Sequence, residues 1–144
     1  MRILVVEDDR KVANFIQSGL SEEGYAVDVL YEGSHAGEQA HAFDYDAVVL
    51  DLMLPLMDGY DVLEQLQADE RTRTIPVLVL TAKAQREDRV RCWEQGASGY
   101  MTKPFSPVAL SAALTDLLGM SPMQREDRRN DMLRKLRDES PSWR

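Results

Sequence analysis

Cysteine is almost missing from this chain. Cys92 stands alone among 144 residues, which excludes an internal disulfide. Its thiol reads as a small packed apolar group. Histidine is nearly as scarce, and His35 and His41 lack the His or Cys partners that a zinc site requires. No apolar run is longer than a strand, and the first, Ile3 to Val6, is stopped at once by Glu7-Asp8-Asp9. Neither a signal peptide nor a membrane span is expected, and a cytoplasmic location follows. Positive charge is thin over most of the chain. Residues 1–120 carry twenty acids against ten bases, whereas residues 121–144 carry seven bases against five acids, for a net charge of −8. So acidic a body argues against direct nucleic-acid binding, and the short tail of mixed sign reads as a solvated helix.

What the chain does contain is alternation. Strand-like runs at Arg2–Val6, Ala26–Leu30, Ala47–Leu50, Pro76–Leu80 and Gly99–Met101 are separated by segments of helical period. That order predicts a doubly wound parallel sheet built from βαβ units. The first helix is expected to take Asp9 as its N-cap and run to Glu23, with Gly24 ending it. Gly33–Ala42, Gly59–Ala68, Ala84–Gln95 and Pro107–Leu118 supply the next four, and Gly96 ends the fourth as Gly24 ends the first. Gly119 interrupts the pattern. Ser121-Pro122-Met123-Gln124 then offers a cap, a proline at the first helical position and a glutamine placed for a capping box. A sixth helix over about 122–139 follows, with a narrow apolar stripe at Met123, Met132, Leu133 and Leu136 and an Asp131–Lys135 pair. The expected organisation is a body of residues 1–120 and a charged helical tail, 121–144.

Three buried strands end in polar, reactive side chains. Asp51 closes Ala47-Val48-Val49-Leu50, Glu7-Asp8-Asp9 follows the first strand, and Thr81 follows Val77-Leu78-Val79-Leu80. The carboxyl ends of parallel strands form the crevice where α/β proteins bind ligands. Asp51 is expected at an exposed strand end there. Carboxylates from two strands make a hard-oxygen pocket of the kind that holds Mg²⁺, and without a cation they would repel. Lys103, after the fifth strand, brings a fixed positive charge to the same crevice. A carboxylate nucleophile, a divalent cation, an ammonium and a hydroxyl together meet the needs of phosphoryl transfer to an aspartate.

At these positions the chain resembles the receiver domains of two-component response regulators. The carriers are Glu7-Asp8, Asp51-Leu52-Met53-Leu54-Pro55-Leu56-Met57-Asp58-Gly59, Thr81-Ala82 and Lys103-Pro104-Phe105, with 30 residues from Asp51 to Thr81 and 22 from Thr81 to Lys103. The resemblance covers residues 1 to about 119. It implies a flavodoxin-like five-stranded sheet in the order 2-1-3-4-5 flanked by five helices. It further implies that Asp51 accepts a phosphoryl group from a phosphohistidine of a sensor histidine kinase or phosphotransfer protein. Asp8, Asp51 and the Met53 backbone carbonyl would hold Mg²⁺ directly and Glu7 partly through water, with Asp9 serving as the helix cap. Lys103 would contact the phosphoryl oxygens, its bond to Pro104 being cis. Thr81 and Tyr100 correspond to the switch pair. Met53 and Lys83 stand where the family orients a hydrolytic water, and neither accepts a proton from one, which implies a long-lived phosphate.

Ser98-Gly99 before Tyr100 and the apolar Ala109–Leu114 segment look more like the stand-alone chemotaxis type than like receivers joined to a winged helix. The expected protein is a phosphorylation-dependent signalling receiver, monomeric or weakly dimeric, not an enzyme acting on external substrates. Its output is expected through protein contact on the face of the fourth helix, fifth strand and fifth helix, which carries Arg89, Arg91 and Trp93. The other settings are a receiver from a longer regulator or hybrid kinase. An aspartate-nucleophile phosphatase would need a second Asp where Met53 stands, and an FMN protein would need a phosphate loop where three acids stand. A degenerate scaffold is disfavoured because no member of the site is missing.

Overall fold

In the computed structural model, described over residues 1–82 and 85–138, the described residues form five strands and six helices. In chain order these are β1 (Arg2–Val6), α1 (Arg10–Glu22), β2 (Ala26–Leu30), α2 (Ala36–Ala42), β3 (Ala47–Leu50), α3 (Gly59–Ala68), β4 (Val77–Thr81), α4 (Arg86–Glu94), β5 (Gly99–Thr102), α5 (Pro107–Leu118) and α6 (Pro122–Asp138). The strands pair in parallel in the order β2-β1-β3-β4-β5, as expected. β1, β3 and β4 are central and buried on both faces, which is why they read as unbroken aliphatic runs.

Alternate residues of these strands feed two cores. Ile3, Val5, Val49 and Leu80 pack against Ile16 and Leu20 of α1 and Leu110, Leu114 and Leu117 of α5. Leu4, Val6, Val48 and Leu50 face the other way, onto α2, α3 and α4 through Ala40, Leu63 and Cys92. Cys92 is buried, so the lone thiol is packing material. The helix signals hold in detail. The Asp9 carboxylate accepts from the backbone N–H groups of Lys11 and Val12, at 3.0 and 3.2 Å. Gly24 and Gly96 adopt φ of 93° and 103°, the left-handed conformation that stops a helix.

Several boundaries differ from expectation. α2 begins at Ala36 instead of Gly33, because Gly33 is a poor helix former whose backbone lies against the Met57 carbonyl. β4 starts one residue later than expected, at Val77, and β4 and β5 each run one residue further, since Thr81 and Thr102 still pair. Arg86 opens the described part of α4 and Gln95 is its cap; the expected start at Ala84 lies outside the described residues. Gly119 has φ of −82°, so it passes the chain on to α6 without a left-handed stop. There the Ser121 hydroxyl accepts from the Gln124 N–H at 3.1 Å and the Gln124 side chain accepts from the Ser121 N–H at 2.8 Å, a complete capping box. α6 runs to Asp138, and the expected last residue, Glu139, lies outside the described residues.

The loop from β3 to α3 is the tightest part of the frame. A Cβ on Gly59 would sit 2.5 Å from both the Asp51 carbonyl oxygen and the Leu52 Cα. Both are backbone atoms, so neither can swing aside. Gly59→Ala should therefore destabilise the fold by about 1–3 kcal/mol, the range of core overpacking. Urea unfolding measures this, and an unchanged midpoint would show that the loop is free to move.

Candidate functional site

The site forms where β1, β3, β4 and β5 end side by side. Each backbone ladder continues one step past its strand: Glu7 N–H donates to the Leu30 carbonyl and Asp51 N–H to the Val6 carbonyl, both at 3.0 Å, and Lys103 N–H to the Thr81 carbonyl at 2.9 Å. These bonds hold the first residue after each strand in place before any side-chain contact is made.

The Lys103 ammonium then links the strands. Its Nζ donates to both Glu7 oxygens at 3.0 and 2.9 Å and to Asp51 Oδ2 at 3.0 Å. The other Asp51 oxygen, Oδ1, accepts from the Met53 N–H at 3.0 Å. Glu7 and Asp51 are 2% and 5% exposed. Asp51 is thus not the exposed strand end that was expected. The Lys103 side chain and the ordered turn beginning with buried Leu52 enclose it, and the ammonium lets a charged carboxylate exist there. Asp8 remains exposed. One oxygen from each of Glu7, Asp8 and Asp51 falls within 4.8 Å of the others, a spacing that suits a hard divalent cation.

Burial pushes the Glu7 carboxyl up to about 7; Lys103 opposes the shift and Asp51 adds to it. Burial would lower the Lys103 pKa, but its hydrogen bonds to Glu7 and Asp51 outweigh that and hold the ammonium above its ordinary value. The charge at Lys103 is therefore secure, whereas the charge at Glu7 depends on pH.

The remaining expected residues are distributed around this triad. Thr81 is fully buried at the end of β4. The Lys103–Pro104 bond is cis. Tyr100 is half-buried on β5, and its hydroxyl is buried without a hydrogen-bond partner among the described residues. The Met53 side chain stands on the rim, 55% exposed, and Lys83 lies outside the described residues. Asp58 caps α3 by accepting from the Asp61 N–H at 3.0 Å.

Two features escaped the sequence reading. Leu56 has φ of 68° and is 85% exposed beside the site, a strained and solvated leucine that periodicity does not reveal. Trp93 is not on an open face: it is 4% exposed beneath Leu133 and Leu136 of α6. Arg91 also leaves that face, with its guanidinium 3.7 Å from the centre of the Tyr60 ring. The narrow stripe on α6 was the available signal, but nothing in it specifies which surface receives it.

Residues 3–115 match the response regulator receiver domain family. The chain belongs to that family. It is 44% identical over 125 residues to the transcriptional regulatory protein TcrA of Mycobacterium tuberculosis, covering 87% of this chain and 49% of that protein. With the transcriptional regulatory protein QseB of Escherichia coli O157:H7 it shares 42% identity over 118 residues, 82% of this chain and 53% of the other. The chain spans about half the length of the curated relatives it matches. Among solved structures, it is similar to the receiver domain of sensor histidine kinase PA1611 from Pseudomonas aeruginosa PAO1, with magnesium coordinated in the active site cleft. The TM-score is 0.78 at 34% identity, over 83% of this chain and 98% of that one.

The raised Glu7 pKa gives the metal-free protein a definite pH response. The folded state holds the Glu7 proton up to about pH 7, whereas the unfolded chain releases it near the ordinary glutamate value of 4.5. Folding thus binds a proton between those values, so this group's contribution to stability falls as pH rises through them and is gone above the folded pKa. Denaturant midpoints in EDTA from pH 5 to 7.5 should decline less steeply in Glu7→Gln. Equal slopes in the two proteins would contradict the assignment.

Proposed function

We propose that Asp51 is the phosphoacceptor of a two-component signalling receiver and that the phosphodonor is a phosphohistidine on a sensor histidine kinase or a histidine phosphotransfer protein. One observation carries this reading: a single ammonium, Lys103 Nζ, lies 2.9–3.0 Å from Glu7 and Asp51, at a strand end that also brings Asp8 within reach.

The chemistry follows from those side chains. An Asp51 carboxylate oxygen attacks phosphorus, the phosphorus–nitrogen bond of the donor breaks, and the imidazole leaves and takes up a proton. The product is an acyl phosphate on Asp51. Lys103, already paired with the Asp51 carboxylate, moves its hydrogen bonds to the new phosphoryl oxygens. Asp8, Asp51 and the Met53 carbonyl would hold Mg²⁺, and Glu7 would join partly through water. The cation neutralises charge on the transferring group when bound. Thr81 donates its hydroxyl to the phosphoryl group and passes the change to Tyr100.

The chain transfers no group to an external substrate in this reading. Its output is contact with a downstream protein target, whether it acts alone or as the receiver of a longer regulator, and the reading places it in the cytoplasm with its kinase.

Incubation with acetyl phosphate and Mg²⁺ followed by intact mass tests the proposal. The native chain should gain one phosphoryl group, labile to base, and should gain none in excess EDTA. Asp51→Asn should remain unmodified, and Met53→Asn should shed the phosphate faster by giving water a hydrogen-bond partner. Labelling of Asp51→Asn with the same lability would refute Asp51 as the acceptor.

A further inference from the structure

α6 lies beyond residues 3–115 of the family match, yet it is not a loose tail. Its buried side chains, Leu133 and Leu136, close over Trp93 of α4, with Tyr100 of β5 packed against the same cluster. Charge matches on both sides of this seam: Arg137 pairs with Glu94 of α4 at 3.5 Å and Arg128 with Asp116 of α5 at 2.6 Å. α6 therefore occupies the surface between α4, β5 and α5 as a ligand would, with aliphatic anchors in the middle and arginines facing acids at the rim.

We propose that α6 is a built-in competitor for this surface, seated while Asp51 is unmodified and displaced on phosphorylation, and that the partner admitted is a protein helix of the same pattern, aliphatic anchors flanked by arginines. The displacement rests on the reading of Asp51 as phosphoacceptor; the occupied surface does not.

Two contacts tie the seam to the body of the receiver. Tyr100 packs at once against the main core and against the α6 cluster, and its buried hydroxyl has no partner among the described residues to fix its present position. A turn of Tyr100 toward the core withdraws its ring from α6. Arg86, which opens the described part of α4, donates from its Nε to the Leu136 carbonyl at 2.6 Å. Movement at Thr81, which pairs with Thr102 of β5, thus bears on the floor of the α6 seat. The seat is also shallow, because only two α6 side chains are buried. A shallow intramolecular contact is one that a modest shift in the receiver can release.

The test is fluorescence anisotropy of a labelled synthetic peptide of residues 120–138 added to the full chain. The variant Leu133→Asp/Leu136→Asp, whose own α6 cannot seat, should bind the peptide at least tenfold more tightly than the unmodified native chain. Arg86→Ala, which leaves the aliphatic seam intact, should shift binding the same way by a smaller factor. Phosphorylation of the native chain, verified by intact mass, should raise its affinity toward that of the double variant. Equal binding by native chain and variants, or binding by none, overturns the masked surface. A verified phosphate that leaves peptide affinity unchanged overturns the coupling. If mass shows no phosphate, the Asp51 reading fails and the displacement with it, while the comparison of variant and native chain still decides the masking.

Discussion

The pairing of one ammonium with two buried carboxylates organises this molecule. Glu7 and Asp51 come from strands that adjoin in the sheet, and burying both without a cation would leave two like charges in a poorly solvated place. Lys103 removes that conflict from a third strand, two positions away from β3. The same arrangement makes the site responsive. In the proposed reading, a phosphoryl group on Asp51 would redirect the lysine's hydrogen bonds, and the contacts that hold the unmodified site together would be the ones that respond.

Around this triad the parallel sheet acts as a jig. Because β1, β3, β4 and β5 run the same way, the residue after each strand reaches the same rim, and backbone bonds from Glu7, Asp51 and Lys103 set those residues before their side chains meet. The rigid centre contrasts with the edge strand β5, whose Tyr100 is half-buried between the core and α6. At that edge α6 rests over Trp93 of α4 and against Tyr100 of β5.

Much of this was legible in the sequence for a physical reason. Central parallel strands are covered on both faces, so they are spelled as aliphatic runs, and an acid, threonine or lysine placed directly after such a run is conspicuous. Asp9, Ser121 and Gln124 were readable because caps are local chemistry. What could not be read depended on contacts between distant segments. The burial of Asp51 follows from Lys103, 52 residues later. The close approach of Gly33 to the Met57 carbonyl and the covering of Trp93 by α6 are both of this kind. Leu56 in the left-handed region is a property of a tight loop that residue type argues against.

The central claim is that Lys103 compensates buried negative charge that a divalent cation can also compensate. Urea unfolding of Lys103→Met, in EDTA and in saturating Mg²⁺, tests it most directly. Without metal the variant should lose about 3 kcal/mol, the cost of stranding buried charge. Mg²⁺ should stabilise the variant more than the native chain, because binding to the folded state adds to stability and the variant has the greater charge left to neutralise. A variant as stable as the native chain in EDTA, or one that gains no more from Mg²⁺, would contradict the account.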